Sequence, residues 1–246
     1  MFSIFKKKSA VNVDLSALDT DMHSHLLPGI DDGSPDDATS LMLMKGLQQL
    51  GYRRFITTPH IMWDVHQNDA TSIGNAHKRL ELALQQDRLN TSIRAAAEYF
   101  LDDHFDRLLE QNVPLLTIKD NWVLVEFSFV APPRNLKETL FELQINGYKP
   151  ILAHPERYSY LVSNKEVYDE LKEAGCYFQL NLLSLTGYYG KGTNDLAHYL
   201  IKKKYIDLLG TDLHHERHLD ALRSSSSLMH GVNSLLDSGS ILNASL

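Results

Sequence analysis

The chain has 246 residues, 43% of them hydrophobic, and a formal net charge of −7. This length is typical of a single α/β barrel domain, which takes about 250 residues, and the negative charge excludes a general nucleic-acid-binding surface, because phosphate backbones attract positive charge. The single cysteine, Cys176, excludes an internal disulfide framework and favours a reducing compartment.

We predict an N-terminal extension over residues 1–18 and one domain over residues 19–246. Phe2, Ile4 and Phe5 precede three lysines, which reverses the charge order of a signal peptide. No apolar stretch of the sequence reaches the length of about 18 residues that a transmembrane helix needs. We therefore expect a cytoplasmic protein with a frayed first segment, for which contact with a membrane or a partner is the alternative.

From residue 19 onward, short apolar runs alternate with helix-like segments. The runs predict buried parallel strands at residues 19–23, 53–58, 91–97, 122–126, 149–153, 177–181 and 207–212. Helices are predicted at residues 36–50, 69–87, 102–111, 136–146, 165–174, 194–204 and 219–236. The serine run at 224–227 either belongs to the last helix or breaks it. Seven β/α units leave few topologies and predict an α/β fold.

His23 and His25 form an H-x-H pair at the end of the first predicted strand. Side chains two residues apart on a strand point the same way, so both imidazoles can reach one cation. Asp32 lies nine residues after His23 and adds the charge that a second ion needs. Such a pair also arises by chance on protein surfaces, so on its own it is a moderate signal.

The same residue types recur where the later strands end. The recurring residues are His60, Glu98, Glu126, His154, Asp212 and His214. Donors at the C-terminal end of every strand favour a closed barrel over an open sheet. Clustered carboxylates repel one another, and buried unpaired charges are costly, so the cluster predicts divalent cations. Nitrogen and oxygen donors without cysteine suit manganese, iron or zinc. A single histidine taken alone would instead be interpreted as a hydrogen-bonded core residue.

Seven motifs in order resemble the polymerase and histidinol phosphatase (PHP) superfamily: H-x-H, D-D-G, T-P-H, A-E-Y, V-E-F, A-H-P-E-R-Y and T-D-L-H. Spread over residues 19–236, they are most similar to the bacterial manganese-dependent protein-tyrosine phosphatases of capsule and exopolysaccharide operons. The resemblance implies a distorted (β/α)7 barrel with a metal site at the C-terminal ends of the strands. The site would hold two to three divalent ions, with manganese expected first and iron or zinc as alternatives.

The resemblance also implies how nine ligands are shared among three ions. The first ion would be held by His23, His25, Glu98 and Asp212. The second would be held by Glu98, as a bridge, with Glu126 and His154, and the third by Asp32, His60 and His214.

A cluster of this kind hydrolyses phosphomonoesters without a covalent intermediate. Neighbouring ions lower the pKa of a bridging water, which gives a hydroxide in line with phosphorus, and they neutralise phosphoryl oxygens. Arg157, three residues after His154, is predicted to bind phosphate oxygens, with a surface salt bridge to Glu156 as the alternative. Arg217 is a second candidate. It follows His214 more closely than the corresponding arginine does in Gram-positive members, which leaves its role open.

The sequence lacks the motifs of other phosphatase classes. A cysteine-based tyrosine phosphatase requires C-x5-R, but Leu182 stands six residues after Cys176, so we predict that Cys176 only fills space. The D-x-D-x-T motif is not completed, because the segment from Asp19 ends in His23. Neither G-x-x-x-x-G-K-[ST] nor G-x-G-x-x-G occurs, which argues against nucleotide-dependent transfer.

We therefore predict a protein-tyrosine phosphatase acting on a phosphotyrosine protein, a cognate bacterial tyrosine kinase of polysaccharide synthesis or export. A small-molecule phosphatase such as histidinol phosphatase is the first alternative, and a non-catalytic metal-binding regulatory barrel is the second. Tyr158, Tyr160, Tyr188 and Tyr189 lie in predicted loops near the mouth of the site. Exposed aromatics there would favour a protein substrate, and ordinary loop packing is the alternative.

Overall fold

The computed structural model describes residues 13–246, in which nine short strands alternate with eight α-helices. The strands are β1 (Thr20–Asp21), β2 (Arg54–Thr57), β3 (His60–Ile61), β4 (Ser92–Ala95), β5 (Glu98–Phe100), β6 (Trp122–Glu126), β7 (Lys149–Ala153), β8 (Tyr177–Asn181) and β9 (Leu208–Gly210). The helices are α1 (Asp37–Gln49), α2 (Ala70–Asp87), α3 (Asp103–Glu110), α4 (Leu136–Ile145), α5 (Glu166–Glu173), α6 (Lys191–Lys202), α7 (Glu216–Ser224) and α8 (Leu228–Asp237). All pairings between these strands are parallel, which confirms the predicted α/β class.

The predicted strands 53–58 and 91–97 correspond to β2 and β4, and after a break of two residues each is followed by a short strand that was not predicted, β3 or β5. The break between β2 and β3 includes Pro59, which has no amide hydrogen to give to the ladder. Hydrogen bonding continues across the gap, since the backbone N–H of Glu98 donates to the Pro59 oxygen at 3.1 Å. The register then places His60 directly beside Glu98.

The strands form two sheets, β1-β2-β4 and β3-β5-β6-β7-β8-β9, and closure into a single barrel stays a prediction. β1 is an edge strand of the first sheet and β9 an edge strand of the second, and the segments that follow these two strands are hydrogen-bonded to each other. There the backbone N–H of Asp212 donates to the His23 oxygen at 2.7 Å, and that of His25 donates to the Leu213 oxygen at 2.9 Å. Residues from the first and last strands are therefore neighbours.

Three of the helices begin directly after an aspartate that caps them. The aspartates immediately before α1, α2 and α3 each accept a hydrogen bond from the first turn of the helix. The predicted last helix, 219–236, is two helices, because the Ser225 hydroxyl accepts the backbone N–H of Leu228 at 3.2 Å. Such local bonding competes with a helical backbone. No helix among residues 13–246 is long and apolar enough to cross a membrane.

The main hydrophobic core includes the first residues that the structure describes. Val13, Leu15 and Leu18 are buried in it, so packing begins before residue 19, where we predicted the domain to start. Their apolar side chains gain free energy by leaving water. The rest of the predicted extension, residues 1–12, lies outside the described residues, as does its predicted contact with a membrane or partner. Cys176 is a buried free thiol in the same core, as predicted.

Candidate metal centre

The nine predicted ligands meet at the C-terminal ends of the strands. His23 and His25 follow β1, His60 begins β3, Glu98 begins β5, Glu126 ends β6, His154 follows β7, Asp212 and His214 follow β9, and Asp32 lies in the loop before α1. Asp32 is exposed and His214 is partly buried, whereas the other seven are buried. Three overlapping groups of donor atoms result.

The first group contains His23, His25, Glu98 and Asp212. Nε2 of His23 lies 3.2 Å from Glu98 Oε2 and 3.4 Å from Asp212 Oδ1. Nε2 of His25 lies 3.4 Å from each of the same two oxygens. One donor atom from each residue therefore faces a common point, as four ligands of one ion would.

Glu98 also faces a second group. Its Oε1 lies 3.1 Å from His154 Nε2, which in turn lies 3.5 Å from Glu126 Oε1. Nδ1 of His60 lies 3.2 Å from Glu98 Oε2 and 3.6 Å from Glu126 Oε2. The two oxygens of Glu98 thus have different neighbours, which is the arrangement that a bridging carboxylate requires.

The third group surrounds Asp32. Its Oδ1 lies 3.5 Å from His214 Nε2 and 3.6 Å from His60 Nε2. His25 belongs to this group as well, and its ring stacks on that of His214 at 3.9 Å. His60 therefore presents one ring nitrogen to the second group and the other to the third. A neutral imidazole has a free electron pair on only one nitrogen, so His60 can serve one ion at a time.

Two residues that the sequence analysis missed orient the histidines of the first group. Asp31 Oδ2 lies 2.8 Å from His25 Nδ1, and Gln179 Oε1 lies 2.8 Å from His23 Nδ1. Because these acceptors occupy the outer nitrogens, the Nε2 electron pairs are directed at the cluster. Asp31 belongs to the D-D-G motif, and Gln179 is a polar residue inside an apolar strand. Both could therefore have been identified as candidate site residues from the sequence.

The backbone is strained where donors converge. His154 has φ 31° and Asp212 has φ 50°. Residues with a Cβ atom rarely adopt this left-handed region, and when they do it is often at functional sites. Gly33 of the D-D-G motif is also constrained, because a Cβ atom there would lie 2.3 Å from the backbone oxygen of His25. The local backbone is thus shaped to bring donors close together.

Burial and mutual repulsion make the carboxylates depend on positive charge. Burial, together with the charges of Glu98 and Asp212, raises the pKa of Glu126 well above its usual value. Burial alone would also raise the pKa of Glu98, but the imidazoles of His23 and His60 hold it well below its usual value. Burial lowers the pKa of His60 to about 4, so this ring is a neutral electron-pair donor at neutral pH.

Several buried donor atoms in the cluster have no hydrogen-bond partner within residues 13–246. They include His60 Nδ1, Glu98 Oε2 and Glu126 Oε2. Leaving a buried polar atom without a partner costs about 1–3 kcal/mol, and more for a charged group. A divalent cation supplies the missing partner to imidazole and carboxylate alike. These donors therefore fit divalent ions of the manganese, iron or zinc type.

A cavity of about 230 Å³ opens beside the cluster, and Arg157 lines it. Nη1 of Arg157 donates to Asp212 Oδ2 at 2.8 Å. Its Cζ lies 4.6 Å from the ring centroid of Phe129 and 4.4 Å from that of Tyr189, so two aromatic rings hold the guanidinium. In the described part of the chain the guanidinium makes no other hydrogen bond, which leaves donors free to bind an anion in the cavity.

The alternative prediction for Arg157, a surface pair with Glu156, is wrong. Glu156 is fully buried, and its Oε1 accepts the backbone N–H of Asn181 at 3.0 Å and the Ser184 hydroxyl at 2.7 Å. Asn181 Nδ2 in turn donates to Asp212 Oδ2 at 2.9 Å. Glu156 therefore fixes the end of β8, and through it the second oxygen of Asp212.

The other predicted site residues are not all brought to the cavity. Arg217 is exposed on α7 and is not among the residues that line the cavity, so its phosphate-binding role stays a prediction. Tyr189 lines the cavity and Tyr188 is exposed next to it in the chain. Tyr160 is half-buried. Tyr158 is fully buried and donates to a backbone oxygen of β7, so for this tyrosine the alternative of loop packing applies.

Comparison with known proteins assigns a family to this site. The family model for capsular polysaccharide synthesis, CpsB/CapC, matches residues 19–226. The tyrosine-protein phosphatase YwqE of Bacillus subtilis is 29% identical over 195 residues, covering 79% of this chain and 76% of YwqE. The tyrosine-protein phosphatase CpsB of Streptococcus pneumoniae is 26% identical over 200 residues, covering 79% of this chain and 82% of CpsB.

Solved structures agree. One solved structure belongs to the crystal structures of YwqE from Bacillus subtilis and CpsB from Streptococcus pneumoniae, which are metal-dependent tyrosine phosphatases. It superposes on this chain with a TM-score of 0.78 at 26% identity, covering 92% of this chain and 90% of that one. An amidohydrolase from Mycoplasma synoviae shares the fold alone, with a TM-score of 0.51 at 14% identity, covering 95% of this chain and 86% of that one. The predicted resemblance is confirmed, and the chain belongs to the CpsB/CapC family of capsular polysaccharide synthesis.

Proposed function

We propose that this protein is a metal-dependent protein-tyrosine phosphatase of capsule or exopolysaccharide synthesis. The observation that carries the proposal is the convergence of three donor groups and a partly free guanidinium on one cavity. Clustered metal ions with an arginine beside them are suited to hydrolysis of phosphomonoesters. The relatives YwqE and CpsB are named tyrosine-protein phosphatases, which supports the substrate class.

We propose that the cluster holds two to three divalent ions, with manganese expected first and iron or zinc compatible with the same donors. The first ion would be held by His23, His25, Glu98 and Asp212, the second by Glu98, Glu126 and His154, and the third by Asp32, His60 and His214. His60 is placed in the third set because His154 already faces both carboxylates of the second.

The ions, when bound, would lower the pKa of water and neutralise the phosphoryl oxygens. The protein's own residues position the reactants. Asp31 and Gln179 hold the donor histidines, while Arg157 binds the phosphoryl group beside them. A phenolate leaving group has a pKa of about 10, so it needs less protonation than an alkoxide and no dedicated general acid.

The aromatic side of the cavity favours an aryl phosphate. In phosphotyrosine the phenyl ring is attached to the ester oxygen, so the ring reaches the cavity wall when Arg157 holds the phosphoryl group. In histidinol phosphate an alkyl carbon is attached to the ester oxygen instead. Phe129 is 42% exposed and Val130 is 88% exposed, so the rim offers apolar surface to a protein substrate. We propose a cognate tyrosine kinase as that substrate.

We further propose that the strands close into the distorted (β/α)7 barrel implied by the family resemblance. The backbone bonds between the segments beyond β1 and β9 support closure. So does the parallel bridge between Ser24 and Leu213. Closure would explain why donors from the first and last strands share one ion site.

The proposed function is tested by comparing a phosphotyrosine peptide with histidinol phosphate. The protein is stripped with a chelator and reloaded separately with manganese, iron or zinc. We expect the stripped protein to be inactive. Elemental analysis of the reloaded protein should give two to three ions per chain. Its kcat/KM for the peptide should exceed that for histidinol phosphate by at least about 10-fold. A preference for histidinol phosphate would make the protein a small-molecule phosphatase. Inactivity on both substrates with the ions present would favour a regulatory barrel.

Phe129→Ala is expected to weaken the hold on Arg157 and on the substrate ring. Loss of one partly exposed cation–π contact of about 0.5–1 kcal/mol corresponds to a fall of about 2- to 5-fold in kcat/KM for the peptide. Steady-state kinetics measures this, and Phe141→Ala, a change at an exposed phenylalanine on α4 that does not line the cavity, is the matched control. Equal effects of the two changes would remove Phe129 from substrate recognition.

A further inference from the structure

A histidine outside all three predicted ligand sets lies at the edge of the third donor group. Nε2 of His66 lies 3.9 Å from Asp32 Oδ1, close to the corresponding distances of 3.6 Å for His60 and 3.5 Å for His214. Three imidazole nitrogens therefore surround one carboxylate oxygen. A separation of 3.9 Å is too long for a hydrogen bond. It does suit two ligands of one ion, because metal–ligand bonds of about 2.0–2.2 Å place neighbouring donors roughly 3–4 Å apart.

The turn that carries His66 is held firmly against the site. The backbone N–H of His66 donates to the Met62 oxygen at 2.7 Å, and the return bond measures 3.1 Å, so the turn closes directly after β3. Asn68 is buried, and its Nδ2 donates to the oxygens of Ile30 at 2.8 Å and His60 at 2.9 Å. One amide thus ties together the loop before Asp32, the strand of His60 and the segment after His66.

The ring of His66 is mostly buried and faces the third donor group. It lies nearly parallel to the His60 ring, with centroids 5.6 Å apart and an angle of 12° between the planes. Its side chain is 19% exposed, whereas that of Asp32 is 60% exposed. The two rings present their Nε2 atoms to the same oxygen of Asp32.

We infer that His66 is an additional ligand of the ion held by Asp32, His60 and His214. The inference rests on the proposed metal centre and is independent of the identity of the phosphorylated substrate. Three imidazoles and one carboxylate form a nitrogen-rich set, which selects transition metals over magnesium and calcium. The fourth protein ligand acts at the most solvent-exposed of the three ion sites and therefore slows loss of that ion.

The test is a titration of the metal-stripped full chain with manganese, in which free manganese is counted by electron paramagnetic resonance and no substrate is present. In His66→Ala we expect the dissociation constant of one ion to rise about 10- to 100-fold while the others stay unchanged. Asp32→Asn should weaken the same ion, and the two changes should be non-additive when combined, because they act on one site. His104→Ala is the matched control, since His104 stacks on Trp63 of the same turn at 3.9 Å without facing the donors.

His66→Leu, which keeps most of the side-chain volume and has no donor atom, is titrated in parallel so that a folding defect of the alanine variant does not decide the result. Wild-type affinities for every ion in His66→Leu would overturn the inference. Weakening of an ion that Asp32→Asn leaves untouched would overturn it too, as would a wild-type protein that binds only two ions. Failure of the protein to hydrolyse phosphotyrosine would not change this titration, so the two proposals fail separately.

Discussion

Glu98→Gln is expected to remove most of the activity and to lower occupancy at two ion sites. Glu98 is fully buried, and its Oε2 lies within 3.4 Å of His23 and His25, while its Oε1 lies 3.1 Å from His154. An amide replaces one of these oxygens by a hydrogen-bond donor, which repels a cation. Loss of a residue that only orients a metal ligand costs about 10- to 100-fold. Because Glu98 is proposed to bind two ions itself, we expect kcat/KM to fall by at least about 10²-fold.

Asp32→Asn is the comparison for Glu98→Gln, because Asp32 belongs to the third donor group alone. Elemental analysis after desalting should show one ion fewer in Asp32→Asn and two ions affected in Glu98→Gln. Steady-state kinetics on the phosphotyrosine peptide should rank Glu98→Gln below Asp32→Asn. Equal losses of activity with depletion of one site in each variant would show that Glu98 does not bridge.

Arg157→Ala is expected to reduce kcat/KM by about 10²-fold or more while the ions stay bound. A charge-assisted bidentate contact to the phosphoryl group in a partly dry cavity accounts for a loss of that size. The first ion should remain, because Asn181 still donates to Asp212 Oδ2 at 2.9 Å when the arginine is absent. Kinetics and metal content are measured on the same preparation.

Arg157→Lys separates the charge of the guanidinium from its shape. An ammonium is a point charge and cannot reproduce the planar fork, so we expect it to recover only part of the lost activity. Arg217→Ala serves as a second comparison. Because Arg217 is exposed and does not line the cavity, a change in kcat/KM within a few-fold would remove it from the phosphate site. Near-wild-type activity of Arg157→Ala would remove Arg157 from the phosphate site.

The positions of the donor residues could be predicted because they depend on local pattern. His23 and His25 share a side because side chains alternate along an extended chain. Glu126 and His154 follow apolar runs, and parallel β/α units bring the ends of such runs to one edge. The pairing of the short strands β3 and β5 was not predicted. It depends on the neighbouring strand, where Glu98 pairs with His60.

The amino-acid sequence by itself determined the α/β class, the family and the nine side chains that meet at the ends of the strands, since each of these follows from residue type and short-range spacing. Only the tertiary structure decided which atoms face each other. The pairing of Arg157 with Asp212, the orientation of His23 by Gln179 and the approach of His66 to Asp32 all join segments far apart in the chain or on different loops. The physical reason is that hydrogen bonds and metal coordination require placement to within a fraction of an ångström, and this placement is set by how whole strands and loops pack.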